Sequence, residues 1–256
     1  RANRKSKSNV FFAAEELHPQ TLDVLRTRAD YMGIELVVAP ADSVGEHEAF
    51  GAAFQYPATD GSIPDLEKLI KTASDQGAMT AVASDLLALM LLRSPGELGA
   101  DMVLGSAQRF GVPMGYGGPH AAFFATRDSL KRQVPGRIIG VSKDNRDQPA
   151  FRMAMQTREQ HIRREKATSN ICTAQALLAN LAAFYAVYHG PEGLRNQAER
   201  VHRLTAILAE GLRAGGLAPQ ERYFDPLSFR ADEGVHNRAH AEGCNLRVLG
   251  DGRTGI

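Results

Sequence analysis

Short apolar runs alternate with helix-periodic segments over the first 125 residues, and this alternation constrains the fold more than any other feature of the chain. Val10 to Ala14, Ile34 to Val38, Gly51 to Tyr56, Met79 to Ala83 and Met102 to Leu104 read as strands of the kind buried on both faces of a sheet. Between the first two, Pro19 suits a helix start. Leu22, Leu25, Ala29 and Met32 then follow at helical spacing, and Gly33 is the stop. Ser62 and Pro64 open a second helix with Leu66, Leu69, Ile70 and Ala73 on one face, closed by Gly77. Asp85 to Leu92 predicts a third, short helix. Strands that alternate with helices form a mostly parallel sheet covered on both faces, an α/β fold. The pattern leaves the strand order open.

The last hundred residues differ in character. Ala167 to Tyr188 carries no charged side chain, which predicts a helix buried in the core or at a subunit interface. Thr168, Ser169, Asn170, Thr173, Gln175 and Asn180 speak against a membrane span. Gly190 stops this helix and Pro191 starts another, with Leu194, Ala198, Val201, Leu204, Leu208 and Leu212 as its apolar face, ending at Gly215 and Gly216. Beyond it, Tyr223 to Asp225 and Cys244 to Leu249 look like pieces of a small terminal domain.

Composition narrows the partners. The 256 residues hold 30 basic and 29 acidic side chains, a net charge of +1, so no general affinity for nucleic acid or a membrane surface is expected. Two cysteines, Cys172 and Cys244, are too few for a disulfide scaffold and suit a reducing interior. No signal peptide is visible. The chain starts without Met and stops at Ile256 just after a strand-like segment, so a fragment of a longer protein is expected.

Gly105 to His120 lies between two apolar runs, Met102 to Leu104 and Ala121 to Ala125, and reads as a glycine-rich loop joining two strands. Its glycines allow main-chain N–H groups to approach an anion closely. It is neither a P-loop nor a strand-turn-helix dinucleotide fingerprint, which disfavours a nucleotide phosphate. The wording of this loop, together with Gln156 to Cys172, resembles the N-terminal half of the glycine decarboxylase P-protein family, pyridoxal-phosphate (PLP) enzymes of the glycine cleavage system. The family's C-terminal half carries a similar loop with the PLP lysine, and Gln108 falls at that lysine's place. An amide offers no amine to bond PLP covalently.

The resemblance implies roles for further positions, each with a plainer alternative. Asp85 matches an aspartate that pairs with the PLP pyridine nitrogen, or it is a helix cap. His18 matches a histidine that stacks on the cofactor ring, or it is a loop histidine before a helix. Arg158, Arg163, Arg164 and Lys166, mixed with Glu159 and Glu165, line the cleft between two halves, or form a solvated helical face. Cys172 could gain acidity at a helix start, or is simply buried. His236 and His240 stand four apart, but no HExxH glutamate or third ligand accompanies them, so no metal site is expected. None of the seven lysines (Lys5, Lys7, Lys68, Lys71, Lys131, Lys143, Lys166) ends a strand beside a glycine loop. An unrelated PLP enzyme using one of them therefore ranks last.

What the resemblance implies as a whole is a PLP-dependent fold-type-I (aspartate-aminotransferase-like) large domain over residues 1–189. A linking helix and part of a small α+β domain would occupy 190–256. It implies glycine decarboxylation with PLP held by the other half, and transfer of the aminomethyl group to the lipoyl arm of H-protein. It also implies a catalytic partner half or sister subunit, a dimer, and a cytoplasmic or mitochondrial-matrix location. A purely structural pairing domain with no chemistry is the alternative.

Overall fold

The computed structural model describes residues 3, 6–134, 136–155, 165, 174–250 and 252–256. Six strands form the central sheet: β1 (Val10–Ala14), β2 (Glu35–Ala39), β3 (Gly51–Tyr56), β4 (Met79–Ser84), β5 (Met102–Ser106) and β6 (Ala122–Thr126). Their spatial order is β2-β1-β3-β4-β5-β6. The first five run parallel, and β6 returns antiparallel beside β5 with Val103 opposite Ala125. Helix α1 (Pro19–Met32) connects β1 to β2, and α2 (Leu66–Asp75) connects β3 to β4.

The period-two alternation of strands divides these side chains between two faces. Phe12, Ala14, Ala52, Phe54 and Tyr56 pack with Leu66, Leu69, Ile70 and Ala73 of α2. Ala13 and Ala53 face the other way, against Leu17 and with Leu22 of α1. The sheet is therefore covered on both sides, as a parallel sheet needs to be. Full burial of a side chain such as Phe12 or Phe54 contributes roughly 1.5–3 kcal/mol. The ends of α1 follow the sequence signals, whereas α2 starts at Leu66, beyond Ser62 and Pro64, and stops at Asp75, before Gly77. Pro19 opens α1, and Gly33 ends it at φ 63°, a left-handed backbone that glycine adopts freely. Asp65 caps α2 by accepting the Lys68 N–H at 3.3 Å.

Several expectations need correction. Asp85 to Leu92 is not an α-helix; only a 3₁₀ turn forms, at Ala88–Met90. Two strands without a clear apolar signature, β7 (Ile138–Lys143) and β8 (Pro149–Met155), pair as an antiparallel hairpin apart from the main sheet. The charge-free helix is not buried within this chain. Its described part begins α3 (Ala174–Ala214), and along it Ala182 is buried while Leu177, Phe184, Val187 and Tyr188 stand exposed. It touches the body through Ala182 and the half-buried Leu178, beside Val112 and Phe110. Absence of charge marked a surface that avoids water without saying what covers it.

Gly190 breaks α3 into two rods (φ 63°, ψ 177°), with Pro191 at the start of the second. The buried stripe of the second rod runs Leu194, Ala198, Thr205, Ala209. Leu204 and Leu208, expected inside, are exposed. Small residues at 198, 205 and 209 bring this rod close, and the hydroxyl of Thr205 is satisfied by donating to the Val201 carbonyl at 3.0 Å. The chain ends in a small antiparallel sheet ordered β10-β11-β9, from β9 (Ser228–Arg230), β10 (Arg247–Val248) and β11 (Arg253–Gly255), with α4 (Glu233–Ala241) between β9 and β10. Arg253 pairs with Asp60 at 2.7 Å, and Arg247 donates to the Thr59 carbonyl at 2.7 Å. Both contacts tie this sheet to the loop after β3. Among the described residues no helix is long and apolar enough to cross a membrane.

Candidate functional site

The segments leaving the carboxyl ends of the parallel strands meet in a cleft of about 470 Å³. His18 comes from the turn after β1, Pro57 from the end of β3, Asp85 from the end of β4, and Gln108 and Arg109 from the loop after β5. Connections leave β1 toward β2 on one side, while β3 lies on the other. Ligand crevices of open α/β sheets form at the carboxyl ends beside such a reversal. His18, Asp85 and Gln108, singled out from the sequence, thus line one cleft although up to 90 residues separate them.

Each of the three is held differently. His18 stands just before α1, its Nδ1 3.2 Å from Thr59 Oγ1. Surrounding protein, then the Arg247 charge, lowers its imidazole below the usual histidine pKa, which favours the uncharged ring. Asp85 uses one oxygen as a local cap, accepting the Leu87 N–H at 3.0 Å. Its other oxygen accepts from Arg109 Nη1 at 2.7 Å. Burial pushes its carboxyl up nonetheless; the Arg109 charge pulls the other way and is outweighed. Gln108 donates its N–H to Ser106 Oγ at 3.1 Å, and no lysine lines the cleft among the described residues.

Sequence reasoning passed over the groups that dominate the cleft's electrostatics. Arg109 Nη1 bridges Asp85 and Asp225, the latter at 2.6 Å, and its guanidinium stands 5.5 Å from the centre of the Phe224 ring. A hydrogen bond between residues 116 positions apart leaves no local signal. Other candidates fall elsewhere. Arg158, Arg163, Arg164, Lys166 and Cys172 lie outside the described residues. His236 bonds Thr254 Oγ1 at 2.7 Å, and no group of metal-ligating side chains occurs among the described residues.

Sheet order and cleft position define the fold-type-I (aspartate-aminotransferase-like) class. An aspartate aminotransferase from Thermus thermophilus shares the fold with a TM-score of 0.62 at 15% identity, over 99% of this chain and 73% of that one. The chain belongs to the glycine cleavage system P-protein family, whose model matches residues 1–256. It is 58% identical to a glycine dehydrogenase (decarboxylating) of Idiomarina loihiensis over 260 aligned residues, covering 100% of this chain and 27% of that protein. A crystal structure of glycine decarboxylase (P-protein) of the glycine cleavage system, in inhibitor-bound form, superposes with a TM-score of 0.89. That match has 31% identity and covers 99% of this chain and 62% of the other. This chain therefore spans about a quarter of the length of the curated relatives it matches.

Neighbours of this fold are PLP enzymes, so the cleft can be tested against that cofactor. Its residues do not fit. Gln108 and its neighbours offer no amine among the described residues, and the free oxygen of Asp85 is already engaged by Arg109. Gln55, which also lines the cleft, carries a buried Oε1 with no hydrogen-bond partner among the described residues.

Proposed function

We propose that this chain is the lysine-less, non-catalytic half of a glycine decarboxylase. In this reading the parent protein decarboxylates glycine with PLP held by its other half and passes the aminomethyl group to the lipoyl arm of H-protein. Residues 1–189 act as the large domain. Residues 190–256 supply the linking helix and part of a small domain, and the whole shapes and supports the active-site cleft. The catalytic half, or a sister subunit, is the direct partner, within a dimeric assembly. The site of action is a bacterial cytoplasm or, in a eukaryote, the mitochondrial matrix. The observation that carries the reading is the cleft itself: His18, Asp85 and Gln108 line it, and no lysine does among the described residues.

Borohydride reduction of the full-length protein in the presence of PLP, followed by peptide mapping, tests it. The label should fall on a lysine outside this segment, with none on residues 100–125. A stoichiometric label on one of this chain's own lysines would instead favour a PLP enzyme that uses that lysine. The basic run carries a separate expectation: Arg163→Ala should lower glycine turnover more than it lowers the melting temperature. Unchanged turnover with a lower melting temperature would return the run to a solvated face.

A pairing domain without chemistry is the second reading, and the open apolar side of α3 favours it. Leu177, Phe184, Val187 and Tyr188 form a surface that water solvates poorly. Full activity after Arg163→Ala, combined with weakened assembly after Phe184→Glu, would select it.

A further inference from the structure

Arg109 adds a charged link between three parts of the chain that apolar packing around Phe224 also brings together. Its Nη1 donates to Asp85 at the end of β4 and to Asp225 in the segment between α3 and β9. Its guanidinium lies against Phe224, which is buried with Leu87, Ala88 and Ala198. The Phe224 carbonyl in turn sits 2.9 Å from His202 Nδ1 on the second rod of α3. The two carboxylates are only 21% and 24% exposed. Without the guanidinium they would face each other half-desolvated, with the Leu87 N–H as the one hydrogen bond to either from outside the trio among the described residues.

We propose that Arg109 is a built-in occupant of the acidic end of the cleft, a positioning residue that pins residues 223–226 to the ends of β4 and β5 and withholds Asp85 from any cationic ligand. The cleft is then closed to PLP at two positions, by the missing amine at 108 and by the filled cation place at 109. Restoring a lysine does not by itself reopen it. This rests on the cleft geometry and stands whether or not the parent decarboxylates glycine.

Two experiments on the full-length protein separate the parts of the proposal. Hydrogen exchange is measured on peptides covering 223–230 in the wild type, Arg109→Met, Asp225→Asn and the double variant. Each single change should speed exchange there roughly 5- to 30-fold, the span expected for one partly buried ion pair, with a smaller effect on the β1–β4 peptides. The double variant should add little to either single one, because both remove the same contact. Arg109→Lys should fall between wild type and Arg109→Met, since an ammonium keeps the charge but not the planar contact with Phe224. Unaltered exchange at 223–230, or fully additive effects, overturns the pinning role. Independently, PLP with borohydride is used to label Gln108→Lys and Gln108→Lys/Arg109→Met. The double variant should take up several-fold more label within residues 100–125. Equal labelling of the two overturns the withholding of Asp85.

Discussion

The six-stranded sheet and the region after it treat apolar side chains in opposite ways. At β1, β3 and β4 both sheet faces are covered from inside the chain, so that Phe54 is 1% exposed beside α2, while Val38, Leu104 and Phe124 on β2, β5 and β6 stay exposed. From Ile138 to Tyr188 the hairpin and the first rod of α3 hold side chains just as apolar, yet Phe184 is 71% and Val187 79% exposed. Val141 and Phe151 of the hairpin are open as well. The first region satisfies its own core. The second presents apolar area at a cost of roughly 25 cal/mol per Å², the sort of surface that marks a contact with other protein. The partner half proposed above would supply that cover.

Paired truncations should break or uphold this contrast most strongly. In this chain, Phe54→Ala should cost about 3–5 kcal/mol by urea unfolding, whereas Phe184→Ala should stay within about 0.5 kcal/mol. Comparable losses at both positions would mean that the first rod of α3 packs as firmly as the sheet. A smaller effect is expected at the boundary of the sealed region. A Cβ on Gly105 would lie 2.0 Å from the Ser84 carbonyl oxygen and 2.7 Å from the Phe123 ring. Gly105→Ala should therefore lower stability by about 1–3 kcal/mol, read from the melting temperature. An unchanged melting temperature would show that β4 and β5 are less tightly joined under the cleft.

The smallest effect concerns pH. Burial raises the Asp85 carboxyl above its ordinary 3.8 despite Arg109, with Asp225 adding to the rise and the Leu87 N–H opposing it. The folded state thus holds this proton to higher pH than the unfolded state does. Stability from this group falls as pH rises from about 3.8 through the raised value, and is level above it. Asp85→Asn, neutral at every pH, should flatten that part of the stability–pH curve, matching wild type at about pH 3.8 and below and standing above it once the raised value is passed. A curve superimposable on wild type would place the carboxyl in ordinary solvent.

Much of the sheet was legible because apolar runs, Pro19 and Gly33 act locally, through backbone geometry and burial. The antiparallel return of β6 and the strand order depend on pairings between distant segments, which periodicity does not encode. The hairpin was missed because Arg152 and Lys143 sit among its apolar residues, blurring the alternation. On the second rod of α3, hydrophobicity pointed to Leu204 and Leu208, whereas close approach chose Thr205 and Ala209. Gln108, Asp85 and His18 were found through a motif. Arg109 and Asp225 were not, since their importance exists only once the chain has brought them together.

That long separation has a kinetic consequence. The Arg109–Asp225 contact closes a loop spanning 116 positions, and a flexible chain would have to surrender entropy before the pair returned anything. A contact that needs the strands and α3 in place before the two side chains can meet is expected on the downhill side of the folding barrier. A change that removes it should leave the refolding rate alone and speed unfolding. The bridge therefore governs how long the finished molecule lasts rather than how quickly it is made.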